Sequence, residues 1–264
     1  MNLIKVLASV FAATVVSASA SPLTAPDPSV SGEEIEIRQD RMQTGYGGET
    51  REMTMTLINA QGEQSQRKLR FEGFEGAERR DRTIIRFDYP ADVRGTALLT
   101  HEQGVGDDDQ WLFLPAVQRV KRIASSNQSG SFVGSEFAYE DLVVRQIDKY
   151  TYRYLGDAAL DGRDCYVIEY LPKNKKSGYS KLVRWRIKDN LQELRTDFYD
   201  RKGELLKQRF IEGHRQVNGF WRVAKVTVKN VQTNKSSVLS FDQISIKVAL
   251  PESRFNVQEF MAAQ

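Results

Sequence analysis

Few side chains in this sequence combine the type and the spacing that catalysis requires. The chain has two histidines, His101 and His214, so a histidine-rich metal site is excluded, and a Ser-His-Asp set would need the fold to bring one of them to a serine. The sequence contains no GxSxG, P-loop or dinucleotide-binding fingerprint. We therefore predict a protein that is not an enzyme and uses no metal ion or cofactor.

An acidic triplet and the single cysteine are the other candidates for chemistry. The triplet Asp107–Asp109 could suggest calcium, but it lacks the regular oxygen spacing of an EF-hand loop, so a polar hairpin tip is the favoured interpretation. Cys165 alternates with Val167 on one strand face, which is typical of a small buried hydrophobic residue rather than a reactive thiol.

The aromatic segment WLFLP is the first candidate binding element. Trp111 and Phe113 share one strand face, while Leu112 and Leu114 share the other, so this strand is predicted to be buried on both sides. Trp111 and Phe113 then belong either to the core or to the wall of a ligand cavity.

Cationic residues near this strand form the second candidate element. Arg119, Lys121 and Arg122 lie in QRVKRI and form a basic strip, which is either solvated surface or a contact for anionic head groups or an acidic partner. Arg94 either pairs with Asp92 to fix the loop shape or binds a lipid phosphate or carboxylate.

The segment GSFVGSEFAYEDL is the third candidate element. We predict a short helix over Ser135–Val144, capped by Ser135, with Gly130 and Gly134 as possible hinges. This helix is either a mobile lid over a cavity or a plain core helix. The side chains that would face the cavity are Phe132, Phe137, Tyr139 and Leu142.

The amino terminus predicts export. Lys5 precedes an apolar run and the small residues Ala18, Ser19 and Ala20, so residues 1–20 read as a cleaved signal peptide. The run is shorter than the roughly 20 residues that cross a bilayer. No cysteine stands at the cleavage point, so no lipid anchor is expected. Residues 21–31, which contain three prolines, are predicted to be an extended leader.

The charge balance gives no case for a nucleic-acid partner. The chain carries 38 basic and 35 acidic residues, a formal net charge of +3. A chain so close to neutral lacks the excess of basic residues that binding to a phosphate backbone requires.

Residues 32–264 are predicted to form one mainly β domain. A helix would run from Ser31 to about Met42, because Ser31 can cap it and acidic residues occupy its first turn. From Thr50 the apolar residues recur at every second position, which predicts a strand, and a second strand over Gln66–Phe74 completes a hairpin. A terminal helix is predicted over Pro251–Met261. Further strands are predicted at 82–89, 96–102, 109–114, 118–123, 150–155, 165–171, 181–188, 193–199, 205–212, 221–230 and 237–248.

The short turns between these strands favour an antiparallel sheet, since parallel strands need long crossovers. A sheet of about eleven strands cannot stay flat with a bare apolar face, so we expect a strongly curved, incomplete barrel. The few helices are then expected to cover its concave face.

The block Tyr89–Leu142 carries a family resemblance. Its DVRGTALLTHE, WLFLP, QRVKRI and GSFVGSEFAYEDL segments, in this order, resemble the bacterial outer-membrane lipoprotein-sorting proteins of the LolA-like family. The similarity extends from MTMTLINAQG at Met53 to PESRF near the end. It implies a curved half barrel whose helical lid encloses an apolar cavity for acyl chains. The chain is longer than LolA, and it lacks the lipid site of LolB.

The resemblance implies a periplasmic carrier that shuttles a lipoprotein or lipid across the envelope, with transient membrane contact and, as a candidate partner, an inner-membrane transporter of the RND type. An adaptor module of an envelope or exporter complex, which binds no lipid, is the alternative hypothesis. A hydrolase with an unrecognised site is the least favoured. A continuous apolar cavity would favour the carrier, and a solid core would favour the adaptor.

Overall fold

The computed structural model of the protein describes residues 20–103, 106–143 and 147–262, with Arg79 described by its backbone alone. The predicted signal peptide therefore lies outside the described residues, apart from Ala20. These residues include two α-helices and fifteen strands, together with short 3₁₀ turns. They are α1 Gly32–Met42, β1 Gly48–Ile58, β2 Gln64–Phe74, β3 Arg82–Tyr89, β4 Ala97–His101, β5 Asp109–Leu114, β6 Arg119–Ile123, β7 Tyr150–Leu160, β8 Arg163–Pro172, β9 Tyr179–Ile187, β10 Glu193–Asp200, β11 Leu205–Glu212, β12 Arg215–Val217, β13 Phe220–Arg222, β14 Lys225–Asn230, β15 Ser236–Ile246 and α2 Val257–Ala262.

Thirteen strands form a single curved antiparallel sheet, in the order β6-β5-β4-β3-β2-β1-β15-β14-β11-β10-β9-β8-β7. The chain starts in the middle of the sheet and runs out to the edge at β6. It then crosses to the opposite edge at β7 and returns to β15, which pairs with β1. The connection from β6 to β7, residues 124–149, is called the strap below.

The predicted mainly β fold, an incomplete barrel, is confirmed. The strand count was too low, because the first hairpin joins the same sheet as the later strands. The predicted strand 221–230 is divided, since β13 turns away to pair with β12 in a separate small hairpin while β14 stays in the large sheet.

Alternation along the strands gives the sheet two apolar faces. In β3, Ile85 and Phe87 point to one face and Ile84 points to the other. Phe71 of β2 and Tyr170 of β8 line one cavity although their strands lie far apart in the sheet order. The sheet therefore curves around that cavity, and the face that carries Phe71 is the concave face.

The helix α1 confirms the predicted helix near residue 32. The Ser31 hydroxyl accepts a hydrogen bond from the Glu34 amide at 3.3 Å, which caps the helix. Ile35 is buried and packs on the half of the concave face formed by β7 to β10. A Cβ at Gly32 would lie 3.1 Å from the Tyr154 amide nitrogen, so the glycine permits this close approach.

The predicted helix Ser135–Val144 is wrong. The structure has a tight hairpin in which the Phe132 amide donates to the Phe137 carbonyl at 2.7 Å, and a short 3₁₀ turn follows over Tyr139–Leu142. Val133 and Gly134 adopt positive φ angles of 47° and 76°, which reverse the chain just before the predicted helix. Val144 itself lies outside the described residues.

The predicted helix Pro251–Met261 is divided at Asn256, which is extended. A 3₁₀ turn over Glu252–Phe255 precedes it and α2 follows it. Both parts cover the convex face, where Phe255 and Phe260 are fully buried against Ile84. The expectation that the helices cover the concave face is therefore wrong for α2, because the convex face also carries apolar side chains that need cover.

The leader runs along the edge strand β7. The Ser21 amide donates to the Ala159 carbonyl at 2.8 Å, and the Thr24 amide donates to the Asp157 carbonyl at 2.9 Å. Gly156, between these contacts, has a φ of 128°, and a Cβ there would lie 2.2 Å from the Thr24 carbonyl oxygen. The leader thus occupies backbone groups that an open sheet edge would expose.

Gly156→Ala should separate the leader from this edge. We expect it to lower the free energy of unfolding by about 2–4 kcal/mol, because backbone strain and the clash with Thr24 add together. Gly162→Ala is the matched control in the same hairpin, since it has a φ of 73° and open space around its Cβ. It should cost about 1 kcal/mol. Urea unfolding measures both, and equal losses would contradict the role of the Thr24 contact.

Candidate functional site

A cavity of ≈ 320 Å³ lies on the concave face, between α1, the end of the strap and the strands. Its volume is at the low end of the roughly 300–1,000 Å³ found in small-molecule sites. Aromatic and aliphatic side chains share the wall with a large set of charged ones. The charged residues are Glu36, Asp40, Glu49, Arg51, Asp141, Arg184, Arg186, Glu193, Arg209 and Arg222.

Two arginines share Glu193 at one end of the cavity. Strand register aligns Arg184, Thr196 and Arg209 across β9, β10 and β11. Arg209 donates to both carboxylate oxygens of Glu193 at 2.8 Å, and Arg184 Nε lies 3.2 Å from Glu193 Oε2. Burial alone would raise the pKa of Glu193, but Arg209 and Arg184 hold that pKa well below its ordinary value.

A second set of two arginines shares Glu49. Arg222 donates from Nε and Nη2 to the two carboxylate oxygens at 2.8 Å each, and Arg51 Nε donates to Glu49 Oε1 at 2.5 Å. Burial opposes ionisation of Glu49, yet the two guanidinium groups lower its pKa. The Arg51 guanidinium lies over the Phe71 ring, 4.6 Å from its centroid, and 5.5 Å from the centroid of Phe241.

A buried ion pair fixes α1 over the cavity. Arg186 donates from Nε and Nη2 to the carboxylate of Glu36, and both side chains are about 95 % buried. Arg186 Nη1 donates to the Leu191 carbonyl at 2.9 Å, so all three nitrogens of this guanidinium have partners. The pair is a bidentate contact between the helix and the sheet.

The strap covers the apolar part of the concave face. Phe132, Phe137 and Tyr139 are buried there, and Leu142 packs against the same side chains. The ring centroid of Phe132 lies 5.5 Å from that of Phe87 and 5.7 Å from that of Tyr139. These four strap residues pack on side chains of the strands beneath them, and the two sets together are called the strap cluster. Its strand residues are Met53, Met55, Leu69, Phe71, Ile85, Phe87, Leu98, Leu112, Val226, Val228 and Phe241.

Polar contacts hold the strap to the strands on the other side of the cavity. Asp141 Oδ2 lies 2.6 Å from Lys207 Nζ, and Asp141 Oδ1 accepts from the Tyr179 hydroxyl at 2.7 Å. Only 4 % of the Asp141 side chain and 5 % of the Lys207 side chain are exposed. Glu140 accepts from the Ser177 hydroxyl at 2.8 Å, and burial raises the pKa of Glu140.

The structure places the other predicted site residues away from the cavity. Trp111 and Phe113 pack on the convex face beside Phe255, not on the cavity wall. Arg94 is exposed and donates to the Asp88 carbonyl at 3.2 Å. The predicted pairing of Arg94 with Asp92 is absent among the hydrogen bonds and ion pairs of the described residues.

The basic strip lies on β6, an edge strand of the sheet. Arg119 and Lys121 are exposed, and Arg122 is paired with Asp109. Charged side chains on an edge strand also discourage sheet-to-sheet aggregation, which is a structural role sufficient to explain their position.

Both histidines contact backbone carbonyl groups. His214 Nε2 lies 2.8 Å from the Glu193 carbonyl, and His101 Nε2 lies 2.6 Å from the Phe255 carbonyl, so in each ring this nitrogen donates its proton. Burial lowers the pKa of both groups. Cys165 is buried, which raises its pKa to about 11. Within the part of the chain that the structure describes, no cluster of three or more His, Cys, Asp or Glu residues suits a metal ion.

Sequence reasoning missed the arginine-lined cavity. The signal available was KLVRWRI, in which Arg184 and Arg186 alternate on the face that also carries Leu182. Arginines on the inner face of a strand require buried acidic partners, which the local sequence does not identify. The cavity is therefore not the apolar one that the family resemblance implies.

None of the helices in the described residues is long and apolar enough to cross a membrane.

The fold is that of the LolA superfamily. A LolA superfamily protein from Nitrosomonas europaea superposes with a TM-score of 0.71 at 20% identity, covering 87% of this chain and 99% of that one. A candidate outer-membrane lipoprotein-sorting protein domain from Vibrio parahaemolyticus is 42% identical, with a TM-score of 0.85 and coverage of 87% and 98%.

A DUF1329 family protein from Desulfovibrio piger is 31% identical, with a TM-score of 0.81 and coverage of 86% of this chain and 97% of that one. A family model described as that of an uncharacterized protein matches residues 79–261. No curated protein matches the chain. The chain belongs to the DUF1329 family. The resemblance to outer-membrane lipoprotein-sorting proteins that the block at Tyr89–Leu142 carries is confirmed by the similarity to the Vibrio parahaemolyticus domain.

Glu36→Gln should loosen α1 from the cavity. Removing one partner of a buried ion pair leaves Arg186 without a counter-charge, so we expect a loss of about 3–5 kcal/mol in the free energy of unfolding. Glu33→Gln, on the exposed side of the same helix, should cost at most about 1 kcal/mol. Chemical denaturation compares the two, and a similar loss in both variants would contradict the assigned role of the Arg186 pair.

Proposed function

We propose that the protein is a periplasmic carrier of an acyl-bearing amphiphile, either a lipoprotein or a lipid, whose chains lie on the concave face. One observation carries this proposal. The cavity between α1 and the strap is continuous with the strap cluster, since Phe71 and Phe241 belong to both. A chain that enters the cavity therefore meets the largest apolar surface of the concave face.

The energetics of exchange support this arrangement. A sixteen-carbon chain gains about 12 kcal/mol on leaving water, at about 0.8 kcal/mol per methylene. Lifting Phe132, Phe137 and Tyr139 from the strap cluster costs about 1.5–3 kcal/mol for each side chain. A bound chain can thus replace the strap aromatics on the sheet and still gain free energy.

The strap provides a route for loading. It joins the two edge strands of the sheet, and its hairpin turns at Gly134, which has a φ of 76° and open space around it. Asp141 and Lys207 hold one end closed. We propose that the hairpin from Phe132 to Phe137 swings away while the Asp141 end stays docked.

Location and partners are part of the same proposal. The signal-like residues 1–20 support export to the periplasm. Arg119, Lys121 and Arg122 on the β6 edge support transient contact with an anionic membrane or with an inner-membrane transporter of the RND type. No nucleic acid is proposed as a partner.

A lipid-independent adaptor of an envelope complex is the second candidate. The observation that favours it is the strap itself, because its aromatic side chains already fill the apolar face and its anchors are buried. A hydrolase has less support, since the sequence contains no GxSxG motif.

Native mass spectrometry of the protein recovered from its own periplasm tests the carrier. We expect a non-covalent adduct with the mass of a lipid or an acylated peptide, which organic solvent releases for identification. Repeated recovery of empty protein would contradict the carrier and favour the adaptor.

A pair of variants makes this measurement specific for the strap. Asp141→Asn removes the counter-charge of Lys207, so the strap should open more often and the adduct should be lost during purification. Asp88→Asn breaks a matched ion pair with Arg70 on the exposed side of the sheet and should keep the adduct. Equal retention by both variants would show that the strap does not enclose the cargo.

A further inference from the structure

The cavity holds more positive than negative charge. Five arginines line it, against four carboxylates, from Glu36, Asp40, Glu49 and Glu193. Asp141 also reaches the wall, but it is paired with Lys207, so this pair adds no net charge. Burial lowers the pKa of His214, which disfavours its cationic form. A buried positive charge without a counter-charge is costly, so the cavity favours one bound anion.

Arg51 is the guanidinium best placed to hold that anion. Glu49, its only carboxylate partner among the described residues, is already held at both oxygens by Arg222. The hydrogen bond of Arg51 uses Nε alone, so its two Nη groups have no partner in the described part of the chain. Two parallel Nη donors match the geometry of a carboxylate or a phosphate. The Arg51 side chain is 20% exposed, which leaves it reachable.

The surroundings of Arg51 are apolar on the side of the strap. Its guanidinium lies over Phe71 and near Phe241, and both rings belong to the strap cluster. Along β1, Met53 and Met55 continue the same concave face from Arg51. An anionic group at Arg51 would therefore place an attached acyl chain directly on the strap cluster.

We propose that Arg51 binds the carboxylate or phosphate head group of an anionic acyl amphiphile. This inference rests on the proposed carrier function and narrows its cargo. The favoured cargo is a lipid with a negatively charged head group, such as a fatty acid or a phosphate-bearing lipid. An acylated peptide terminus, whose lipid is uncharged, is disfavoured. Arg222 acts on this site indirectly. Because Arg222 binds both carboxylate oxygens of Glu49, the two Nη groups of Arg51 remain available to the ligand.

The test compares two ligands that differ only in the head group. The delipidated mature chain is titrated with 1-palmitoyl lysophosphatidic acid and with 1-palmitoylglycerol, below their micellar concentrations, by isothermal calorimetry. We expect the wild type to bind the phosphate-bearing ligand about 10- to 100-fold more tightly, as charge-assisted hydrogen bonds predict. Arg51→Gln should reduce this preference to about twofold, while Arg51→Lys should keep part of it.

Arg70→Gln is the matched control, because Arg70 lies on the adjacent strand and pairs with Asp88 on the exposed side. It should leave the preference unchanged. Arg51→Gln should still fold, because the Arg222 contact to Glu49 remains, and its thermal unfolding is measured in parallel. If Arg51→Gln does not fold, the head-group preference of Arg51→Lys is compared with that of the wild type instead.

The outcomes separate this inference from the proposed function. Equal binding of both ligands by the wild type overturns the anion site and leaves the carrier intact. Binding of neither ligand contradicts the carrier itself. Inorganic phosphate that binds as tightly as the lipid overturns the head-group assignment, because the site would then serve a free anion. An unchanged preference in Arg51→Gln places the anion elsewhere and overturns the assignment to Arg51.

Discussion

The order of the strands imposes the constraint on which the rest of the structure depends. β6 and β7 follow one another in the chain but lie at opposite edges of the sheet. Their connection therefore has to span the sheet, and it does so over the concave face, where Phe132, Phe137 and Tyr139 pack on the strands. The strap buries its aromatics on the apolar half of that face, and the Asp141 pair with Lys207 docks it on the other half. Any ligand of the concave face has to share space with the strap.

The two halves of the concave face differ in chemistry. Beneath the strap the strands present methionines, leucines and phenylalanines, whereas β9 and β11 present arginines. Buried guanidinium groups are stable only with counter-charges, and here two carboxylates are each shared by two arginines. The boundary between the halves is formed by Phe71 and Phe241 beneath Arg51. An amphiphile, with one polar end and one apolar end, matches this division.

The sequence predicts the elements better than their arrangement. Period-two alternation identifies nearly every strand, and the cap at Ser31 identifies α1, because both signals are local. The segment near Ser135 was predicted as a helix from its composition, but the positive φ angles at Val133 and Gly134 decide its path. The block at Tyr89–Leu142 identifies the family and contains the strap aromatics. Within this block, Trp111 and Phe113 share one strand face, as predicted. Which face of the sheet encloses the cavity depends on the curvature of the whole sheet, and the sequence of one strand does not contain that information. The partner of Arg186 could not be predicted, because Glu36 is 150 residues away in the chain.

Hydrogen–deuterium exchange of the strap tests the central claim most directly, that cargo and strap compete for the concave face. The Glu136 amide donates to the Ser237 hydroxyl of β15 at 2.9 Å, so its exchange reports whether the strap is docked on the sheet. Loading the delipidated protein with a sixteen-carbon amphiphile should accelerate this exchange by about tenfold or more, while amides between β8 and β9 stay unchanged. Unchanged protection of the Glu136 amide in the fully loaded protein would contradict the account.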